Sequence, residues 1–315
     1  MKFGGVMINY QHILAVVEME RDTQPALSRA QEISDKTGAT ITAMLVVYDL
    51  SYDMTTMLSP DEREAMKDAV TKEHASWLSE HLRQLGFSHI DIVVQWNNRA
   101  FEAVIHHVID NDIDLVVKAT KRHDDLASVI FTPTDWHLLR KCPSPVLLVK
   151  EHDWPEGGQI IAAVNVGSED DEHNLLNDKL TVIANDYAKL LNGNVNLVNS
   201  YPFTPLNIAI EVPEFDPDAY NNSVKHHHQA EMAGHAKKYG ITTANTYVKE
   251  GLPEKVIPMV AKDIDAELVI IGTVGRVGLS AALIGNTAEH VIDELDCDVL
   301  AVKPDGFVSP LANKK

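Results

Sequence analysis

Three glycines and their neighbours are the part of this 315-residue chain best suited to chemistry. Gly272, Gly275 and Gly285 follow the apolar run Leu268-Val-Ile-Ile271 in the pattern G-x2-G-x9-G, and Asn286-Thr287 come next. Glycine accepts positive φ and lets backbone N–H groups approach a ligand closely, which suits a loop wrapped around phosphates. A helix opening at Asn286 would add unpaired N–H groups and the positive end of a helix dipole. Glu289, three residues further on, fits a capping box there. Arg276 is placed for a charge-assisted contact to a phosphate oxygen. Tight-turn geometry is the competing explanation. Three glycines at this spacing, between a strand and a capped helix, favour phosphate binding.

Other groups point less clearly. A helical metal site commonly uses ligands at i and i+4. His228 and His235 are seven apart, about two helical turns. They are therefore expected to be exposed polar side chains, as are His106-His107 and His226-His227. The run Glu169-Asp170-Asp171-Glu172 after Ser168 reads as an acidic helix start. Cys142 and Cys297 lack CxxC spacing and read as buried thiols. No G-x-S-x-G elbow, Walker sequence or HExxH is present. No side chain stands out as a general base.

The elements that must hold the glycine loop occur twice. Asp114-Leu-Val-Val-Lys-Ala-Thr120 resembles Glu267-Leu-Val-Ile-Ile-Gly-Thr273, 153 positions on, and Val146–Lys150 matches Val299–Lys303 at the same offset. Ile13–Glu18 matches Ile160–Asn165 at an offset of 147, so the second copy carries about six extra residues between its first two strands. Short Val/Ile runs alternating with helical patterns predict, in each copy, a parallel sheet covered by helices. In order these are strands at 13–17, 41–48, 90–95, 115–118 and 146–149, and at 160–164, 195–200, 243–248, 268–271 and 299–302. The domains are then 1–151 and 160–304, with a Pro/Gly-bearing linker at 152–159 and a frayed polar tail at 305–315.

Composition narrows the function. Lys+Arg number 27 against 46 Asp+Glu, a net charge of −19, and such a surface repels nucleic-acid backbone and anionic membrane. The N-terminal residues lack the basic start and apolar core of a signal peptide, and no apolar run approaches the ~20 residues of a membrane span. A cytoplasmic location is expected.

The glycine pattern in this setting resembles the universal stress protein family, in its ATP-binding branch and its tandem-domain bacterial form. Leu58-Ser-Pro-Asp-Glu-Arg63, the segment Val129–Pro145 and Glu214-Phe-Asp-Pro217 carry the tandem likeness, which runs from about Tyr10 to Lys303. The resemblance implies two five-stranded α/β domains of the adenine nucleotide alpha hydrolase-like type. It also implies ATP, with Mg²⁺ arriving on the phosphates. Gly272, Gly275 and Gly285 would meet the triphosphate and ribose, Asn286 and Thr287 would stand at hydroxyl-bearing positions, and Ala163, Asn165 and Ser200 would line the adenine pocket. Asn165 replaces the family's Asp and Asn286 its Ser or Thr. The implied role is a stress sensor or switch with at most slow hydrolysis, serving stress and DNA-damage resistance and motility or adhesion. The fused copies would act as an internal pseudo-dimer, with a further homodimer left open.

The first copy lacks the loop, because Ala119, Arg122 and Thr132 stand at the three glycine positions. Two readings of the cationic stretch Lys118, Lys121, Arg122 and His123 follow. One is a solvated loop on a copy kept for packing, which is favoured. The other is an altered pocket for a small anionic or partly apolar ligand, with the protein acting as a non-enzymatic carrier or scaffold.

Overall fold

The computed structural model describes residues 9–53, 58–123, 126–150, 152–168, 170–203, 216–273 and 286–312. Among the predicted site residues, Gly275, Arg276 and Gly285 lie outside these. The chain divides into an N-terminal domain, built from Asn9 to position 150 with the segment from Val308, and a C-terminal domain spanning His152–Phe307.

In the N-terminal domain the strands are β1 (His12–Val17), β2 (Thr40–Val47), β3 (Asp91–Trp96), β4 (Leu115–Ala119) and β7 (Val146–Val149), in the order β3-β2-β1-β4-β7. Each neighbouring pair is parallel. Helices α1 (Pro25–Thr37), α2 (Leu50–Asp53), α3 (Pro60–Gln84), α4 (Ala100–Asp110) and α5 (Pro133–Lys141) connect them. Every residue of β4 and β7 is buried. That unbroken burial is what a parallel strand with both faces covered requires, and it explains why these runs are rich in Val and Leu, with Lys118 as the exception.

Local chemistry marks the helix ends. Ser59 caps α3 in a box, its N–H donating to Glu62 Oε2 at 2.8 Å and the Glu62 N–H donating back to its Oγ. Thr132 and Asp135 build the same device at α5. Pro25, Pro60 and Pro133 take the first helical position, where no N–H is missed.

The C-terminal domain repeats the plan. Its strands β8 (Gln159–Ala163), β9 (Asn194–Tyr201), β10 (Thr246–Glu250), β11 (Ala266–Gly272) and β12 (Asp298–Val302) run β10-β9-β8-β11-β12, again all parallel. Its helices are α6 (Asp171–Leu191), α7 (Pro217–Lys238), α8 (Pro253–Asp263) and α9 (Asn286–Glu294). In both domains the chain reverses direction across the sheet between the first and fourth strands. Ligands of open α/β sheets bind beyond the strand ends at such a point.

Four expectations change. The predicted strand at 243–248 begins as a 3-10 turn, Thr243–Asn245, before β10. The stretch expected as a solvated loop contains a hairpin of β5 (Lys121–His123) and β6 (Leu126–Ile130), and Lys118 is buried. Residues 152–159 pack on the C-terminal domain instead of running loose. His152 lies 3.4 Å from Glu267 and 3.5 Å from Asp298, and Trp154 sits edge-on to Tyr187. The tail expected to fray buries Ser309 and Leu311. Cys142 and Cys297 are both buried.

Candidate functional site

A cavity of about 490 Å³ opens beyond the carboxyl ends of β8, β9 and β11. Ala163, Asn165, Ser200 and Gly272 all line it, so four predicted residues from three strands converge on one space. Ala288, in the first turn of α9, closes the side where phosphates would meet a helix N-terminus. Asn286 and Thr287 both lie within the described part of that helix.

Gly272 has a second reason to be glycine. A Cβ there would stand 2.5 Å from Leu176 Cδ2 of α6, so the bare backbone lets that helix close on the strand end. Gly251, also on the cavity wall, has φ of 138°, a conformation side chains rarely adopt.

Three wall residues escape the glycine motif: His173, Leu176 and Asn177 of α6. Asn177 is buried and clasps the backbone of Asn165 at both groups. The Asn165 N–H donates to its Oδ1 at 2.9 Å, and its Nδ2 donates to the Asn165 carbonyl at 3.0 Å. In the N-terminal domain Gln24 does the same for Glu18, donating from Nε2 to the Glu18 carbonyl at 2.8 Å and accepting its N–H at Oε1. Gln24 and Asn177 stand at the repeat offset of 153, whereas Glu18 and Asn165 stand at 147. The six extra residues therefore fall between Asn165 and Asn177. The available sequence signal was a carboxamide at equivalent positions of both copies.

The histidines form packing and hydrogen bonds. His228 stacks on Tyr201, meets Asn199 Nδ2 at 3.0 Å and covers Gly167, where a Cβ would strike its ring. Asn199 Oδ1 in turn accepts the Val166 N–H, so His228 and Asn199 brace the loop that follows Asn165. His235 Nε2 meets Thr181 Oγ1 at 2.8 Å. Among the described residues no group of His, Cys, Asp or Glu is arranged to hold a metal.

Burial lowers the pKa of His235 below 6.5, against the attraction of Asp178 and with help from Lys238. A histidine with a depressed folded pKa favours the folded state while neutral, and that advantage fades as pH falls below its unfolded value. Urea midpoints taken at about pH 7.5 and about pH 5.5 are expected to differ more for the wild type than for His235→Gln. Equal differences would remove His235 as a source of acid sensitivity.

The equivalent N-terminal cavity, about 890 Å³, is lined by the counterparts Val16, Glu18, Val47 and Lys118. Lys118 occupies the position of Ile271, and Asp135 that of Ala288. Lys118 Nζ lies 2.8 Å from Glu18 Oε1 and 2.9 Å from Asp135 Oδ1, and Asp135 is fully buried. Burial opposes ionisation of Glu18, but Lys118 and Arg21 together hold its carboxyl below the ordinary value.

A model of the universal stress protein family matches residues 9–150 and 166–303. Universal stress protein E of Escherichia coli strain K12 is 50% identical over 309 residues, covering 97% of this chain and 98% of that protein. Its namesake in Photorhabdus laumondii is 45% identical, covering 98% and 100%. A solved structure of a functionally unknown protein from Pseudomonas aeruginosa PAO1 has a TM-score of 0.70 at 29% identity, covering 94% of this chain and 93% of that one. A universal stress protein from Archaeoglobus fulgidus, at 13% identity and a TM-score of 0.56 over 93% and 96% of the chains, shares the fold. With two family matches lying over two copies of one sheet and one cavity, the chain belongs to the universal stress protein family.

Proposed function

We propose that the C-terminal domain binds ATP and that the protein acts in the stress response as a nucleotide-dependent sensor or switch. The observation that carries this reading is the convergence of Ala163, Asn165, Ser200 and Gly272 on one cavity at the reversal point of the sheet, with the first turn of α9 at its edge. Apolar walls from Val164, Val198 and Ile271 suit a purine, and Ser200 and Asn165 offer hydrogen bonds to base and ribose. The triphosphate would lie toward Gly275, Arg276, Gly285 and the start of α9, with Mg²⁺ carried on it.

Turnover is slow at most in this reading. Among the described residues the wall carries one imidazole, His173, and no carboxylate. Asn165 is an amide where a carboxylate would help hold the metal. The physiological consequences we assign are stress and DNA-damage resistance in the cytoplasm, with effects on motility or adhesion. Among the described residues no helix is long and apolar enough to cross a membrane.

Calorimetric titration with Mg-ATP tests the site. Saturable binding is expected for the wild type, with a loss of about tenfold or more in Gly275→Val, whose side chain blocks the close backbone approach. Unchanged binding in that variant would overturn the assignment.

A further inference from the structure

The two cavities share their framework and differ in charge. Val16, Glu18, Leu45, Val47, Ala100 and Lys118 line one where Ala163, Asn165, Val198, Ser200, Pro253 and Ile271 line the other. The C-terminal wall carries no carboxylate among its described residues, whereas the N-terminal wall carries Glu18, Glu20, Asp49 and Glu73. Among its described residues the lysine at the wall, Lys118, is held between Glu18 and Asp135.

Asp135 sits in the first turn of α5, at the position that Ala288 holds in the other domain. Its Oδ2 accepts the Thr132 N–H at 2.7 Å and the Thr132 hydroxyl at 2.9 Å. A protein carboxylate thus already takes the helix N-terminus and the nearby ammonium, the two features that would attract a phosphate. The rest of the cavity stays open and is walled by Val17, Leu45 and the aromatic pair Tyr48 and Trp96, whose ring centres are 5.9 Å apart. The Trp96 face already receives one cation, the Lys67 ammonium at 5.9 Å.

We propose that the N-terminal cavity is a second ligand site, specific for a flat aromatic cation without phosphate, with Asp135 as the residue that rejects phosphate. Carboxylates at the wall attract the positive charge, Tyr48 and Trp96 supply ring faces, and Asp135 already holds the Lys118 ammonium that an entering anion would need. This site stands whether or not the C-terminal domain binds ATP.

Ligand-detected NMR on the full chain, carrying Gly275→Val to weaken phosphate binding at the other cavity, can compare three probes of one shape. Benzamidinium is expected to bind saturably, on the order of 1 mM for so small a ligand. Benzamide should bind more weakly, and benzoate should not bind. Glu73→Gln, an exposed change, and Trp96→Leu are each expected to weaken benzamidinium about two- to fivefold. If Trp96→Leu fails to fold, Glu73→Gln still reads the charge. Asp135→Asn keeps an acceptor for Thr132 but removes the charge, and it is expected to confer binding of tripolyphosphate that the parent lacks. Benzoate binding as well as benzamidinium, the absence of saturable benzamidinium binding, or tripolyphosphate binding by the parent would each overturn the proposal.

Discussion

Replacing Lys118 by alanine is expected to destabilise the N-terminal domain by about 3–5 kcal/mol, the usual cost of leaving a buried charge without its partner. Asp135 is fully buried, and among the described residues Lys118 Nζ at 2.9 Å is the cation beside its Oδ1. Glu18 loses less, because Arg21 still pairs with it. The double change Lys118→Ile with Asp135→Ala reproduces the pair Ile271 and Ala288 that the C-terminal domain carries. It should cost clearly less than the single change, since the two residues form one unit and their effects do not add. Urea unfolding followed by tryptophan fluorescence checks this, because Trp77, Trp96 and Trp136 lie in the N-terminal domain and Trp154 in the other. A double variant as unstable as Lys118→Ala would show that packing, and not the stranded charge, sets the cost.

The same network predicts a response to acid. The Glu18 pKa is depressed in the folded state, so its contribution is full above the unfolded value near 4.5 and is lost as pH falls through the lower folded value. Lys118→Ala should flatten that acid limb.

The second large effect is expected at Asn177. Asn177→Leu keeps the branched outline of the side chain but leaves both the N–H and the carbonyl of Asn165 without the clasp. These two hydrogen bonds are part-buried and worth roughly 0.5–1.5 kcal/mol each, so a loss of about 2 kcal/mol for the pair is expected. ATP affinity should fall about tenfold as well, because Asn165 would lose its fixed place on the cavity wall. Asn177→Asp retains the acceptor for the Asn165 N–H and loses the donor, so it should fall between the two on both measurements. Stability lost with affinity unchanged would make Asn177 a purely structural residue. Affinity lost in Asn177→Leu and largely kept in Asn177→Asp would mark it as the positioning residue for Asn165.

Much of this architecture was legible because buried parallel strands leave a strong trace. Leu115-Val-Val and Leu268-Val-Ile-Ile must be apolar on both faces, so their repetition at one offset exposed the duplication directly. Gly272 was marked by the glycine spacing, whereas Ala163, Asn165 and Ser200 were marked only by what the family resemblance implies. Asn177 and His173 were less visible, since a helix residue reaches a site through a packing angle that periodicity does not encode. Lys118 misled for a related reason. In sequence it joined Lys121, Arg122 and His123 as a cationic, solvated run, yet its strand position turns it inward to Glu18 and Asp135, 100 residues before it and 17 after.

The glycine loop was conspicuous from the start, and spacing alone determined its place after a strand and before a helix. Sequence also determined that the first copy lacks it, because Ala119, Arg122 and Thr132 stand at the glycine positions. Only the tertiary structure decided what the loss of those glycines produced. It set Asp135 at the start of the first helix and joined it to Lys118, because an ion pair between residues apart in the chain exists only once the sheet has brought them together.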